Sequence, residues 1–209
     1  RIKLSIGTKQ QGDADGLFYC PNGLVFDHHR GLLLVVDSEN HRVQVFSCDD
    51  DDDDGSFVSK FGEQGDQPGR FAYPLGIAID HDHDCILVVD SGNNRVQSWS
   101  LSERSFLSCA GQEGSGELEF QYPRGIAIDK HHRRIIIADS DNNRLVFLSL
   151  VDLSFLFSVG NHGSQPGEFN SPSTIAIDDD RHRIVIPDTF NHRVQVLSSI
   201  DGSFLFEFG

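Results

Sequence analysis

The sequence predicts an all-β fold, a β-propeller of four-stranded blades. Three observations predict it: a repeat of fixed length through the whole chain, four short β-forming runs in each copy, and no room between them for a helix. The repeat is anchored by Asp27, Asp80, Asp129 and Asp178, which close the segments Gly-Leu-Val-Phe-Asp, Gly-Ile-Ala-Ile-Asp (twice) and Thr-Ile-Ala-Ile-Asp. Their spacings are 53, 49 and 49, the four extra residues falling in an aspartate run in the first copy. Ten residues after each comes a second aspartate: Asp37, Asp90, Asp139 and Asp188. Each copy ends on an aromatic segment, at 57–61, 106–110, 155–159 and 204–208.

The elements of one copy follow from runs of four to six β-branched and aromatic residues bounded by Gly, Asp, Asn and Pro. In the second copy they place strands at 76–79, 85–89, 95–100 and 106–109, and the blade units at about 18–61, 71–110, 120–159 and 169–208. A small residue at the centre of the first strand (Ala78, Ala127, Ala176, with Val25 in the first copy) fits a strand crowded against a central axis. Phe18, Phe71, Phe120 and Phe169, each three residues before a proline, are expected to plug the space between blades. Pro187 stands where the other copies have Val36, Val89 and Ala138; without an N–H inside a blade it predicts a bulge or a lost ladder bond.

Composition narrows the function. The 209 residues suit one domain, and 17 Lys+Arg against 32 Asp+Glu give a net charge of −15, six of it from Asp49 to Asp54, so the average surface repels a phosphate backbone. The longest apolar run, 32–36, is five residues, against the roughly 18 of a membrane-spanning helix. With 38% hydrophobic residues and 16 Phe, the chain can bury a large core, which excludes disorder. Cys20, Cys48, Cys85 and Cys109 have no Cys-x-x-Cys spacing and occupy non-equivalent places, so they read as free buried thiols. Unpaired cysteines and the lack of a glycosylation sequon favour a reducing, cytoplasmic setting. Methionine is absent even before Arg1, so the chain reads as cut from a longer protein. Residues 1–6 align with the fourth strands, and so read as a surplus outer strand of an upstream blade, with the whole as part of a larger ring.

Asn-His-Arg-Val at 40–43 and 191–194, Asn-Asn-Arg-Val at 93–96 and Asn-Asn-Arg-Leu at 142–145, each preceded by its Asp-closed segment (Ile-Asp in three copies, Phe-Asp in the first), resemble the NHL repeat over nearly the whole chain. The resemblance implies propeller blades, usually five or six to a ring, and a non-catalytic module that binds a protein or peptide, in some relatives as the substrate-recognition end of RING-type ubiquitin ligases. It also implies two alternatives. One is RNA binding by Arg- and Lys-rich loops, for which Arg70 and Arg124 are too few among Glu63, Glu113, Glu117, Glu119 and Glu168. The other is a lyase- or lactonase-type enzyme with a metal in the central channel, for which the residues after the repeated proline (Asn22, Leu75, Arg124, Ser173) make a poor ligand shell that blades of a larger ring would have to complete.

A residue present in every copy occupies symmetry-related places and reads as scaffold; this covers the paired aspartates and Arg42, Arg95, Arg144 and Arg193. The histidines after the first strands (His28, His29, His81, His83, His131, His132, His182) and the run Asp49 to Asp54 share one face, where they read as solvated turn residues on tips too far apart to chelate. No catalytic residue, metal site or cofactor is expected. The opposite face differs from copy to copy. Arg70, Tyr73, Tyr122, Arg124, His162 and Phe190 stand there as the candidate binding residues, because aromatic and Arg side chains at exposed, unrepeated positions are what binding hot spots use.

Overall fold

The computed structural model describes residues 6–7, 10–48 and 55–209. They form four antiparallel sheets, each with its strands in sequence order. The first blade holds β1 (Pro21–Asp27), β2 (Leu32–Asp37), β3 (Arg42–Ser47) and β4 (Phe57–Phe61); the second holds β5 (Pro74–Asp80), β6 (Cys85–Asp90), β7 (Arg95–Ser100) and β8 (Phe106–Ala110). A short parallel pair, β9 (Gln112–Glu113) with β10 (Glu119–Phe120), leads into the third, β11 (Pro123–Asp129), β12 (Arg134–Asp139), β13 (Arg144–Ser149) and β14 (Phe155–Val159). The fourth holds β15 (Ala176–Asp178), β16 (Arg183–Asp188), β17 (Arg193–Ser198) and β18 (Phe204–Phe208). No α-helix occurs among the described residues. The surplus strand expected at 1–6 lies, but for Ile6, outside them, as does the run Asp49 to Asp54.

The cores lie between blades, because alternate residues of one strand face opposite neighbours. Leu34, Val36, Val43 and Val45 of the first blade pack with Ile77, Ile86, Val88 and Trp99 of the second. The second blade's other face, Leu87, Val89 and Val96, packs with Ile126, Ile135, Ile137 and Val146 of the third, and Ile136, Ala138 and Phe147 meet Ile184, Ile186 and Leu197 of the fourth. Phe71, Phe120 and Phe169 are fully buried at these seams. Each sits against a glycine that ends the preceding blade: a Cβ on Gly62, Gly111 or Gly160 would come within 2.3–2.6 Å of the ring.

Of three sequence expectations, the structure corrects that for the cysteines and refines the other two. The tightest contact at the axis is made two residues before the expected alanines: a Cβ on Gly23, Gly76 or Gly125 would stand 2.3–2.5 Å from the carbonyl oxygen of Leu75, Arg124 or Ser173 in the next blade. Cys20 and Cys109 are exposed and Cys48 and Cys85 half-buried, so none of the four thiols is fully buried, although Cys85 packs against the edge of the core. Pro187 pairs with Val194 in unbroken register, so β16 has no bulge against β17. Its carbonyl accepts the Ser173 N–H, which places the missing donor on the side of the first strand. There β15 is three residues long, where β1, β5 and β11 have seven.

Candidate functional site

The repeated polar residues form one network per blade. In the second blade Asp90, fully buried, accepts the Ala72 N–H through Oδ1 at 2.7 Å, and through Oδ2 accepts from Asn93 Nδ2 (2.9 Å), Arg95 Nε (2.7 Å) and Gln97 Nε2 (2.9 Å). The rest of the Arg95 guanidinium donates to the carbonyls of Asp66, Gln67 and Arg70, so the motif Asp and Arg clamp the loop that enters the blade. Asp37, Asp139 and Asp188 do the same with Arg42, Arg144 and Arg193 at 2.8 Å. Burial pushes the Asp139 carboxyl above the usual carboxylate range, against the N–H donors of Gln121, Asn142 and Arg144.

Sequence reasoning missed the glutamine two residues after the motif Arg in three of the four blades. Gln44, Gln97 and Gln195 each accept a glycine N–H, from Gly16, Gly69 and Gly167, at 2.9–3.0 Å. The signal was present: the third blade replaces both partners at once, with Val146 and Leu118 sharing an apolar cluster. A second set of bonds runs between blades. Ser38, Ser91 and Ser140 donate to the carbonyls of Pro74, Pro123 and Pro172 at 2.6–2.7 Å. The left-handed His41, Asn94 and Asn143 accept the N–H of Tyr73, Tyr122 and Ser171 through their side chains at 2.8–3.0 Å.

The loops entering each blade bond to the turns between its second and third strands: Gly92, Asp141 and Phe190 N–H reach the carbonyls of Ala72, Gln121 and Asn170. All six candidate binding residues therefore lie on one face, but not in one place. The first strands and the residues leading into them line a central cavity of about 590 Å³, and of the six only Tyr122 and Arg124 line it, with Asn22, Leu75 and Ser173 beside them. The Arg124 guanidinium carbon lies 5.3 Å from the Tyr122 ring centroid. Arg70 pairs with Glu63 at 2.9 Å in the entering loop, and His162 bridges to Phe169 in the equivalent loop of the fourth blade. Tyr73 leans on His41 with ring centroids 4.7 Å apart, and Phe190 stands out from its turn, 64% exposed.

The opposite face carries the histidines, and there the turns of adjacent blades meet, which corrects the expectation that their tips are far apart. His81 Nε2 lies 3.0 Å from Asp27 Oδ1 of the first blade, and the rings of His29 and His81 are 4.3 Å apart. His131 and His182 approach to 5.0 Å across the next-but-one seam. Burial pushes the Asp27 carboxyl up, but His81, Arg30 and the His29 N–H outweigh it and hold it below the usual carboxylate range. Arg134 and His132 likewise overcome burial at Asp129. Among the described residues no three His, Cys, Asp or Glu side chains are grouped to hold a metal ion. No helix among them is long and apolar enough to cross a membrane.

Comparison with known proteins agrees with this geometry. Residues 24–112 match a family described as a 6-bladed beta-propeller (DUF5128), and residues 120–146 match the NHL repeat. Protein brain tumor of Drosophila melanogaster is 29% identical over 90 residues, 43% of this chain and 8% of that protein. E3 ubiquitin-protein ligase NHLRC1 of Rattus norvegicus is 32% identical over 78 residues, 37% of this chain and 18% of the ligase. The chain thus matches less than a fifth of the length of these relatives. A chain of Kuenenia stuttgartiensis hydrazine synthase superposes with a TM-score of 0.69 over 96% of this chain and 51% of that one, at 14% identity, a likeness of fold alone. With that repeat matched at 120–146 and the same Asp, Asn and Arg in register in all four blades, the fold is a β-propeller whose blades resemble the NHL repeat.

Proposed function

We propose that the chain is a non-catalytic recognition module that binds a protein or peptide on the face bearing Tyr73, Tyr122, Arg124 and Phe190, as the substrate-recognition part of a larger protein such as a RING-type ubiquitin ligase. One observation carries this reading. The polar residues common to the blades are consumed in holding loops and seams, while Tyr73 and Tyr122, at a position that is Cys20 and Ser171 in the other two blades, and Phe190, where the others have Glu39, Gly92 and Asp141, stand exposed on one face. Exposed aromatics on a rigid frame lose little conformational entropy on binding, which suits them to anchor a partner. The likeness to a ubiquitin ligase and to brain tumor supports a module appended to other domains.

Peptide display against the immobilised chain tests the reading. Peptides selected on the wild-type chain bind at least about tenfold more weakly to Tyr73→Ser and Phe190→Ser, the scale of an interface hot spot. They keep their affinity for His131→Ala on the opposite face. Peptides sensitive to His131→Ala but indifferent to Tyr73 and Phe190 would refute it.

A further inference from the structure

We propose that the mouth of the central cavity is a seat for a single carboxylate carried by a peptide ligand, held by Arg124. The proposal rests on the recognition reading and names the chemical group that reading leaves open. Arg124 is the one charged residue among those lining the cavity, and no acidic residue lines it in compensation. Its Nε–H is closed off from solvent and has no hydrogen-bond partner. That is unlike the motif arginines: Nε of Arg42, Arg95, Arg144 and Arg193 each donates to a carboxylate at 2.7–2.8 Å. A shielded guanidinium N–H without an acceptor is costly to leave unmade, and its strongest partner is an anion that fits the planar fork.

The surroundings hold the guanidinium ready. Tyr122, over whose ring it lies, is fixed in the left-handed region at φ 47° and gives its N–H to Asn94 Oδ1 at 2.8 Å. Arg124 itself follows Pro123, whose carbonyl is held by Ser91 at 2.6 Å. The equivalent positions in the other blades are Asn22, Leu75 and Ser173, so one blade in four supplies the cation and the ligand has one orientation. A chain of net charge −15 disfavours a polyanion, so the ligand is a peptide with one carboxylate at the cavity and neutral or basic residues around it.

The test follows the Arg124 Nε–H resonance of the isotope-labelled chain by NMR. Four probes are added in turn: N-acetylphenylalanine, its neutral amide, the internal carboxylate of acetyl-Ala-Glu-Ala-amide, and decauridylate. The proposal expects a saturable shift at millimolar N-acetylphenylalanine or at the Glu peptide, and binding at least about tenfold weaker for the neutral amide and, read from the backbone amides of Tyr122 and Gly125 that line the same cavity, for Arg124→Gln. The stronger of the two carboxylates tells a chain terminus from a side chain. Arg124→Gln melts with the wild type, since Arg124 loses no hydrogen bond. Equal binding of the amide, full retention in Arg124→Gln, no saturable shift, or tighter binding of decauridylate overturns the proposal. Selected peptides that engage Tyr73 and Phe190 while the Arg124 signal stays still refute the carboxylate seat alone. Carboxylate binding at Arg124 with no peptide engaging the face leaves the seat standing and removes the peptide reading.

Discussion

Replacing Asp90 by Ala removes the acceptor on which the second blade's polar network converges. The size of the loss can be worked out from what each donor retains. Asn93 Nδ2 keeps the Gly65 carbonyl, Gln97 Nε2 keeps that of Arg70, and the Arg95 guanidinium keeps three loop carbonyls, so none of these is stranded outright. Ala72 N–H loses its bond at 2.7 Å, about 1–3 kcal/mol for a shielded donor. Arg95, with a side chain 9% exposed, loses its counter-charge, which at a buried pair costs about 3–5 kcal/mol and here falls at the low end because of the retained carbonyls. The sum is about 4–6 kcal/mol, or roughly 8–24 °C in melting temperature for a domain of this size. Urea denaturation of Asp90→Ala and of a control, Lys60→Ala, measures it. The Lys60–Asp15 pair is as short, at 2.6 Å, but both side chains are nearly half exposed, so its loss costs under about 1 kcal/mol. An Asp90→Ala loss no larger than that of Lys60→Ala would refute the claim that the repeated motif works by burial and convergence.

Gly125→Ala places a methyl group 2.3 Å from the Ser173 carbonyl oxygen, so the third and fourth blades must part at the axis; a loss of about 1–3 kcal/mol by calorimetry is expected, typical of overpacking. Acid sensitivity follows from Asp27: its folded-state pKa lies below the unfolded value of 3.8, so its stabilisation is fully present above that value and lost as pH falls through the folded one. Stability of the wild type should therefore drop more steeply below about pH 4 than that of Asp27→Asn, as read by urea midpoints across pH. Burial pushes the Cys85 thiol up, and Asp80 and Asp84 add to this, outweighing Ser98, so at pH 8 a maleimide should label the exposed Cys20 and Cys109 before Cys85, as peptide mass spectrometry would show.

The blades were legible because one pattern recurs four times, so a strand expected at 76–79 is found at 74–80 and a seam phenylalanine predicted at 120 is fully buried. Contacts between blades were less so, since a repeat length carries no information about how far one copy is rotated from the next. That angle decides that Gly76 meets the Arg124 carbonyl and that the His29 and His81 rings touch. The candidate site was legible as a face and not as a constellation. Arg70 and Arg124 look equivalent in sequence, each near the start of a blade, yet one is spent on Glu63 in an outer loop and the other stands unpaired at the axis.

The departures of the fourth blade have a common physical origin in the first strand. Pro187 withholds a donor on the side facing that strand, and β15 retains only the pairs Ala176 with Val185, Ile177 with Ile184 and Asp178 with Arg183, beyond an isolated bridge from Pro172 to Asp188. The other blades carry the same register shift after their proline, so the fourth lacks only the pair of Ile175 with Ile186, and in that stretch Thr174 takes the place of Gly23, Gly76 and Gly125. In those three the missing Cβ is demanded by the carbonyl of a following blade; a threonine satisfies no such demand, and Ala176, next but one, is exposed where Ala78 and Ala127 are half-buried. The turn above has changed as well: Thr189, in the place of the serines that hold a neighbour's proline carbonyl, instead donates to Ser173 within its own blade at 3.3 Å. Phe190 beside it is the most exposed aromatic among the large exposed side chains of the described residues. Relaxed pairing at the axis and an outward aromatic at the turn thus lie on the same blade, so substitutions at Phe190 should alter binding while leaving the three seams, and with them the melting temperature, unchanged.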